Sequence, residues 1–496
     1  MAHDDPSRTG FALACDIGGT SLRVGLVGED GAAEAVAIPM ETPLDARGWS
    51  EVAPDAWLDA FRAGCATLAA RAPAAWRRVA AVAVCGMTRT QVLVDESGRA
   101  VRPALTWRDT RAGPVAGSLA VEGEAIDAFH PAARLAWVEA HEPDAMARAR
   151  RVIEPKDYIA SALTGRLASD PVALARLSGA TRPGSPLRRF ARLVPDLLAP
   201  ASVVAPVRAG LPGPFAALEG RPVVMVSNDT WAAVLGLGAL RPGYAYNISG
   251  TSEVFGLVAD RLAAAPGLLA VDWGAGLHQL GGPSQNGAAV VPWLLALTGG
   301  DPARVEEGLA RLLAGPRHVA PLLFLPFLHG ERVPYWDPRL RGAFLGLGPH
   351  HGPTDLAWAV LEATALANRV ILARAEAALG STVAEIRLGG GAARNRAWNQ
   401  IRADMAGRPV VVGAAQEPGL VGCAACAFTA VGRFRDLGDA QDRLARAVRR
   451  FEPDPERRDF ADALFSLHER AAAATAGLSH GLSEIRVPLP LPGVTG

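Results

Sequence analysis

The chain has 496 residues, half of them hydrophobic and 20% charged, and its 50 Lys+Arg balance 50 Asp+Glu to a formal net charge of zero. That length exceeds what a single hydrophobic core supports, so two domains are expected, and the apolar content excludes a disordered chain. No basic excess exists to neutralise a phosphate backbone, which sets nucleic acid aside as an expected partner.

In chain order, residues 1–10 lack the basic start and apolar stretch of a signal peptide, and no apolar run is expected to reach bilayer-spanning length. Residues 16–27 read Asp-Ile-Gly-Gly-Thr-Ser-Leu-Arg-Val-Gly-Leu-Val. An apolar run, a Gly-Thr-Ser turn and a second apolar run predict a β-hairpin whose tight turn uses glycine's backbone freedom. A helix follows over 55–70, a strand over 79–84 and a helix over 132–140. Residues 182–222, dense in Pro and Gly, read as a surface connection around one short apolar helix. A strand at 223–226 and a helix over 231–240 close the first half. The main boundary falls near Arg241-Pro242-Gly243 and divides the chain into domains 1–243 and 244–480.

Residues 247–258, Asn-Ile-Ser-Gly-Thr-Ser-Glu-Val-Phe-Gly-Leu-Val, repeat the first hairpin and open a second, related half. A buried helix over 356–379, a strand at 385–388 and a helix over 396–406 follow, and 481–496 reads as a loose tail. Alternating strands and helices in both halves give an α/β fold. The five cysteines, Cys15, Cys65, Cys85, Cys423 and Cys426, are odd in number, which points away from a disulfide framework and toward a reducing compartment such as the cytoplasm. Cys423 and Cys426 form a C-x-x-C in an Ala-rich run without a nearby histidine, so buried small side chains are expected there and not zinc ligands.

Several segments carry residue types suited to phosphate and hydroxyl chemistry. The two Gly-Thr-Ser turns offer backbone N–H groups and hydroxyls of the kind that bind phosphate oxygens, although a glycine turn is also simply a hairpin turn. Asp16 ends the first strand, where a carboxylate can serve a magnesium ion or close an Asx turn. Gly389-Gly390-Gly391 follows a strand and enters a helix, a place open to a nucleotide or to nothing beyond a turn. Asp229 follows the strand at 223–226, where it can accept a proton from a substrate hydroxyl or cap its helix. Trp107-Arg108-Asp109-Thr110-Arg111 sets an aromatic face beside three charges, suited to a polyol or to a solvated loop.

These segments, in this order, resemble the FGGY carbohydrate kinases, of the actin, hexokinase and Hsp70 ATPase superfamily. The most specific element is Gly330-Glu331-Arg332-Val333-Pro334-Tyr335-Trp336-Asp337-Pro338 with Arg341-Gly342 behind it; Asp16 to Ser21, Trp107 to Arg111, Gly250 to Ser252 and Gly389 to Asp404 agree. The resemblance implies two ribonuclease-H-like domains flanking a nucleotide cleft, ATP with magnesium as cofactors, and transfer of the γ-phosphoryl group to a sugar or polyol hydroxyl. It implies Asp229 as the base and Asp16 as the carboxylate near the metal. It places Gly18, Gly19, Thr20 and Ser21 in the first phosphate loop, Gly250 and Thr251 in the second, and Gly390, Gly391, Arg394 and Asn395 at the adenosine. Met87, Thr88, Arg89, Trp107, Asp109, Phe129 and Thr230 fall at the acceptor.

In the xylulokinase-like members a histidine follows the strand before Trp107; here Cys85-Gly86-Met87-Thr88-Arg89-Thr90-Gln91 puts Arg89 in its place. A ketose or related polyol is the expected acceptor. An arginine there also suits an aldonate carboxylate, unless it forms an internal ion pair, for instance with Asp109. The implied partner is thus a small sugar, polyol or aldonate, with no membrane, and a homodimer is one assembly the family allows.

Overall fold

A computed structural model of the chain describes residues 10–119 and 126–486. The chain forms two compact units. Unit 1 takes the described residues up to Arg241 together with Asp272–Gly276 and Ala414–Arg446; unit 2 takes Pro242–Val271, Leu277–Gly413 and the described residues from Ala447 on.

The elements that carry the candidate site run, in chain order, as β1 (Phe11–Ile17), β2 (Ser21–Gly28), β3 (Ala33–Pro39), α1 (Pro54–Arg71), β4 (Val79–Gly86), α2 (Pro131–His141), α3 (Pro155–Thr164), β5 (Val203–Pro206), β6 (Pro222–Asn228) and α4 (Asp229–Gly236). They continue as β7 (Tyr244–Ser249), β8 (Glu253–Ala259), β9 (Leu269–Asp272), β10 (His278–Ser284), α5 (Pro353–Leu379), β11 (Glu385–Gly389), α6 (Arg396–Ala406), β12 (Val410–Gly413), α7 (Pro418–Ala430), β13 (Ala447–Phe451) and α8 (Arg458–Glu484).

The sheet of unit 1 has the order β5-β6-β4-β1-β2-β3, with β1, β4 and β6 parallel and the β1-β2-β3 meander antiparallel. The sheet of unit 2 has the order β9-β10-β8-β7-β11-β12-β13, with β7, β11 and β12 parallel and β7-β8-β10 antiparallel. Each unit is therefore the same arrangement, an antiparallel meander extended beyond its first strand by two successive parallel strands. The hairpin repeat in the sequence marks this duplication. The inner strands read as near-continuous apolar runs because helices cover the sheet: in unit 1, Trp57, Phe61, Cys65 and Leu68 recur on one face of α1 and pack with Leu13, Leu22, Val24 and Val82. Full burial of a side chain such as Phe61 contributes about 1.5–3 kcal/mol.

The structure corrects four expectations. The segment Ala414–Arg446 packs in unit 1, so 244–480 is not one continuous domain. The physical reason is α7, whose Gly422 lies so close to α4 that an added Cβ would sit 1.9 Å from the Ala232 carbonyl oxygen, while one on Gly236 would sit 1.9 Å from the Pro418 carbonyl oxygen. The helix α5, 27 residues long, is apolar enough by length and composition to cross a membrane, contrary to the expected absence of such a run; 72% of its most apolar window is buried, as befits a core helix. Residues 182–222 are more ordered than a surface connection, since β5 pairs antiparallel with β6 at the sheet edge. The helix α8 continues to Glu484, into the stretch 481–496 expected as a tail, of which 487–496 lie outside the described residues. All five cysteines are free and buried.

Candidate active site

Asp16 and Asp229 stand at the ends of neighbouring parts of the unit 1 sheet. Asp16 belongs to β1; Asp229 is the first residue of α4, directly after β6. The cap of α4 is Asn228, whose side-chain oxygen accepts from the Trp231 N–H at 3.0 Å. Asp229 is thereby free of the capping role that its position left open. Its Oδ1 accepts from the Thr230 N–H at 2.6 Å and the Thr230 hydroxyl at 3.3 Å. Burial first, and the Asp16 carboxylate second, push its pKa up to about 7 against those two bonds. Asp16 is also raised from its ordinary value, by burial and by Glu417, against Arg23 and the Cys85 thiol.

The chemistry of Asp16 fits a neighbouring divalent cation. Its Oδ1 is buried with no hydrogen-bond partner, and its Oδ2 lies so near α7 that a Cβ on Gly419 would stand 2.4 Å away. Two mutually repelling carboxylates with an unsatisfied oxygen form the hard-oxygen environment that suits magnesium.

The first of the two turns expected to hold phosphate follows β1. Gly18 N–H donates to the Ser21 carbonyl at 3.0 Å, Thr42 Oγ1 donates to the Gly19 carbonyl at 2.7 Å, and Met40 N–H donates to the Thr20 carbonyl at 3.0 Å. The second turn, Gly250-Thr251-Ser252, is exposed and backed by Ala288 N–H on the Gly250 carbonyl at 2.8 Å. Neither Gly18, Gly19 nor Gly250 has positive φ, so glycine's left-handed freedom is not what these turns use. Gly18 is needed for close approach instead, because a Cβ there would meet the Ser21 carbonyl oxygen at 3.0 Å. The hairpins also differ by one residue of register: Asp16 faces Arg23, whereas its counterpart Asn247 faces Phe255.

In unit 2, Gly390 does use positive φ, at +88°, and a Cβ on it would stand 2.3 Å from the Ser249 carbonyl oxygen. The glycine-rich segment thus lies directly on the flank of the second phosphate turn. Gly391 opens a 3-10 turn through Arg394, which is exposed, and Asn395 caps α6 by accepting from the Trp398 N–H at 3.0 Å. Behind the turn, Ser249 and Glu253 bind the buried Arg402, with Arg402 Nη2 3.0 Å from Ser249 Oγ and 3.1 Å from Glu253 Oε1. Asn368 Nδ2 donates to Glu253 Oε2 at 2.8 Å.

The proposed acceptor residues divide. Met87 is buried and its N–H donates to the Ile17 carbonyl at 2.9 Å. Trp107 is 39% exposed, with its indole nitrogen 3.9 Å from where a Gly19 Cβ would stand, so the ring borders the first phosphate turn. Phe129 is half-buried, and its N–H donates to Asp127 at 3.0 Å. Asp109 is a correction. It is fully buried, and it accepts from Ser50 N–H at 2.7 Å and from the Arg111 guanidinium at 2.9 and 2.8 Å, which leaves it an anchor for Arg111 and unavailable to an acceptor.

Arg89, in turn, does not pair with Asp109. Its half-buried guanidinium has no hydrogen bond or ion pair among the described residues, and burial, with Arg176 next, lowers its pKa against the more distant pull of the Asp127 and Glu154 carboxylates. Its backbone takes φ of +58°, a left-handed conformation that costs a non-glycine residue about 1–3 kcal/mol. Glu154, which sequence reasoning missed, accepts from the Arg89 N–H at 2.8 Å and the Thr88 hydroxyl at 3.3 Å. The only lysine of the chain, Lys156, lies buried nearby, 2.5 Å from Asp157 and 2.8 Å from Asp170. Ser227, two residues before Asp229, donates to Asp170 at 2.8 Å.

Among the described residues, one further cluster has metal-ligand character: His318, His350 and His351 in unit 2 bring ring nitrogens within 4.8 Å of one another. Their hydrogen bonds make it a poor metal site. His318 Nδ1 accepts from Ala320 N–H at 3.0 Å, which puts its proton on Nε2, and His351 uses both nitrogens, on Gly348 N–H and the Ala320 carbonyl, each at 2.9 Å. Only His350 keeps a free imidazole.

Comparison with known proteins places this arrangement. Residues 11–178 match the N-terminal domain model, and 245–431 the C-terminal domain model, of the FGGY family of carbohydrate kinases. The chain is 29% identical to a xylulose kinase of Escherichia coli over 80% of its length and 85% of the relative's, and 30% identical to a glycerol kinase of Aromatoleum aromaticum over 89% and 94%. A gluconokinase of Bacillus subtilis is 24% identical over 89% and 91%. Among solved structures, xylulose kinase from Rhodospirillum rubrum matches with a TM-score of 0.82 and 27% identity, covering 95% of this chain and all of that one.

Proposed function

The chain belongs to the FGGY family of carbohydrate kinases, and from that premise we propose that it transfers the γ-phosphoryl group of ATP to a hydroxyl of a ketose, a pentulose such as xylulose, or a related polyol. The observation that carries the reading is Asp229: a carboxylate at the carboxyl end of a parallel strand, relieved of helix capping, with a pKa near neutrality. Asp229 takes the proton of the acceptor hydroxyl as the oxygen attacks phosphorus. Magnesium, when bound near Asp16, supplies charge neutralisation on the phosphates. The turns Gly18 to Ser21 and Gly250 with Thr251 hold the phosphate oxygens: Gly18 and Gly250 close them by donating to the Ser21 and Ser252 carbonyls, each at 3.0 Å, and Gly19, Thr20 and Thr251 offer the N–H groups, while Gly390, Gly391, Arg394 and Asn395 border the adenosine. Positioning and electrostatics are the main protein contributions to phosphoryl transfer, so these fixed donors account for most of the chemistry.

Asp229 also predicts a pH dependence of stability in the metal-free protein. Its folded pKa, about 7, stands above the ordinary 3.8, so the folded state holds a proton that the unfolded state has lost between those values. The stabilisation is full below about pH 3.8 and is lost as pH rises through about 7. Thermal melts of wild type and Asp229→Asn from pH 4.5 to 8 check this: wild type loses stability relative to the variant over that window, and parallel curves exclude a raised pKa.

A second reading, an aldonate kinase of the gluconate type, is favoured by one observation, the unpaired and half-buried Arg89 guanidinium. An acceptor carboxylate would pair with it bidentately. Coupled ADP release with ATP and magnesium, tested against ketoses, polyols and aldonates, separates the readings by which class gives the highest kcat/KM. Arg89→Ala is expected to raise acceptor KM about tenfold or more with ATP KM unchanged, since a charge-assisted hydrogen bond is worth about 1.5–3 kcal/mol. Unchanged acceptor KM would remove Arg89 from the acceptor site.

A further inference from the structure

The Arg89 peptide is held from both sides by buried ionisable side chains. Glu154 Oε1 accepts its N–H at 2.8 Å, and Arg134, itself fully buried, donates from Nη1 to its carbonyl oxygen while Nη2 donates to the Asp109 carbonyl at 3.2 Å. Between these two contacts the residue adopts φ of +58°, which an arginine does not choose unaided. The guanidinium of the same residue is left unpaired among the described residues, although Glu154 is near enough to bind its backbone. Glu154 spends one carboxylate oxygen on the Thr88 hydroxyl and the Arg89 N–H, and the other has no hydrogen-bond partner. It is an expensive residue for a buried site unless the geometry it imposes is used.

We propose that Glu154 is a positioning residue for the acceptor, setting the left-handed turn at Thr88-Arg89 that aims the Arg89 guanidinium at the acceptor instead of at a protein carboxylate. The inference rests on the reading that Arg89 faces the acceptor. Glu154 is itself tied in place: its N–H donates to Asp157 Oδ2 at 3.0 Å, Asp157 and Asp170 share Lys156, and Asp170 holds Ser227 on the strand that leads to Asp229. The turn and the base are thus referenced to one buried network within unit 1. Arg134 fixes the second end of the same peptide.

The test is steady-state kinetics of the full chain with ATP and magnesium, using D-xylulose and D-gluconate as neutral and carboxylate-bearing acceptors, for Glu154→Leu, Glu154→Gln and Arg89→Ala. Leucine removes the acceptor oxygens while its similar volume keeps the pocket filled; Glu154→Ala serves the same comparison if leucine does not pack. Loss of Glu154 is expected to raise the KM of the better acceptor about tenfold, with ATP KM within twofold of wild type. Glutamine, whose side-chain oxygen still accepts from both donors, restores acceptor KM to within about threefold. A merely structural role would move both KM values together or spare both. If Arg89→Ala raises acceptor KM and Glu154→Leu does not, the inference is overturned while Arg89 stays in the site. If Arg89→Ala has no effect, or neither probe turns over, the reading on which the inference rests falls, and the inference with it.

Discussion

Asp229→Asn is expected to lower acceptor-dependent turnover about 10²- to 10⁴-fold while ATP binding stays intact, the range over which a positioned general base contributes. Asparagine keeps the volume and the side-chain oxygen that accepts from Thr230, so α4 and its Asn228 cap should be undisturbed. What is lost is the group proposed to take the proton. Because the folded carboxyl has a pKa of about 7, wild type holds a substantial deprotonated fraction at neutral pH and still binds a proton strongly enough to remove it from an alcohol in the transition state. Isothermal titration with ATP and single-turnover kinetics separate binding from chemistry. A variant that binds ATP normally and turns over at the wild-type rate would remove Asp229 as the base.

The second large effect is expected where α4 meets α7. Gly422→Ala should destabilise unit 1 by about 3 kcal/mol or more, the upper end of overpacking costs, because the new Cβ would stand 1.9 Å from a backbone oxygen of α4 and neither helix can yield by rotating a side chain. The Cys423 and Cys426 side chains beside it are fully buried, so α7 has little room to move away. Since α4 begins at Asp229, a shift of the crossing also moves the proposed base. Chemical denaturation should show a lower midpoint, and the residual folded protein a lower kcat. A midpoint equal to wild type would mean that Ala414–Arg446 does not pack in unit 1 as described.

Much of the fold was legible because each half advertises its meander. The repeated apolar, Gly-Thr-Ser, apolar pattern at residues 16–27 and 247–258 marks the first strand pair of each sheet, and the apolar runs at 79–84 and 223–226 mark the parallel strands beside it. The assignment of Ala414–Arg446 to unit 1 was not legible, since an apolar helix carries no label for the sheet it covers. Nor does composition separate a core helix from a spanning one: 356–379 reads as a buried helix, and α5 is one, yet its length and apolarity also meet the measure of a spanning run. The most recognisable motif turned out to build structure: Glu331 is buried and accepts from Gln285 N–H at 2.7 Å, Ser284 Oγ at 2.8 Å and Asn286 Nδ2 at 3.1 Å.

Within the candidate site, residue type predicted place better than role. Asp109 sits in a polar pentapeptide that looks solvated, and only its bond to Ser50, 59 residues upstream, reveals an anchor. Glu154 carried one signal, a carboxylate before Pro155 with Asp157 three residues on, which reads as a helix start and says nothing of Arg89. Arg402 and Thr42 hold the two Gly-Thr-Ser turns through contacts with Ser249, Glu253 and Gly19 that no spacing rule anticipates. Long-range side-chain pairing is where a single sequence is least informative, and these residues are defined by it.

The most direct measurement of the central claim follows the label from [γ-³²P]ATP with magnesium and the best acceptor of the panel. The account predicts one labelled sugar phosphate per ADP released, with little inorganic phosphate. Label recovered only as inorganic phosphate, at a rate indifferent to every acceptor, would contradict it.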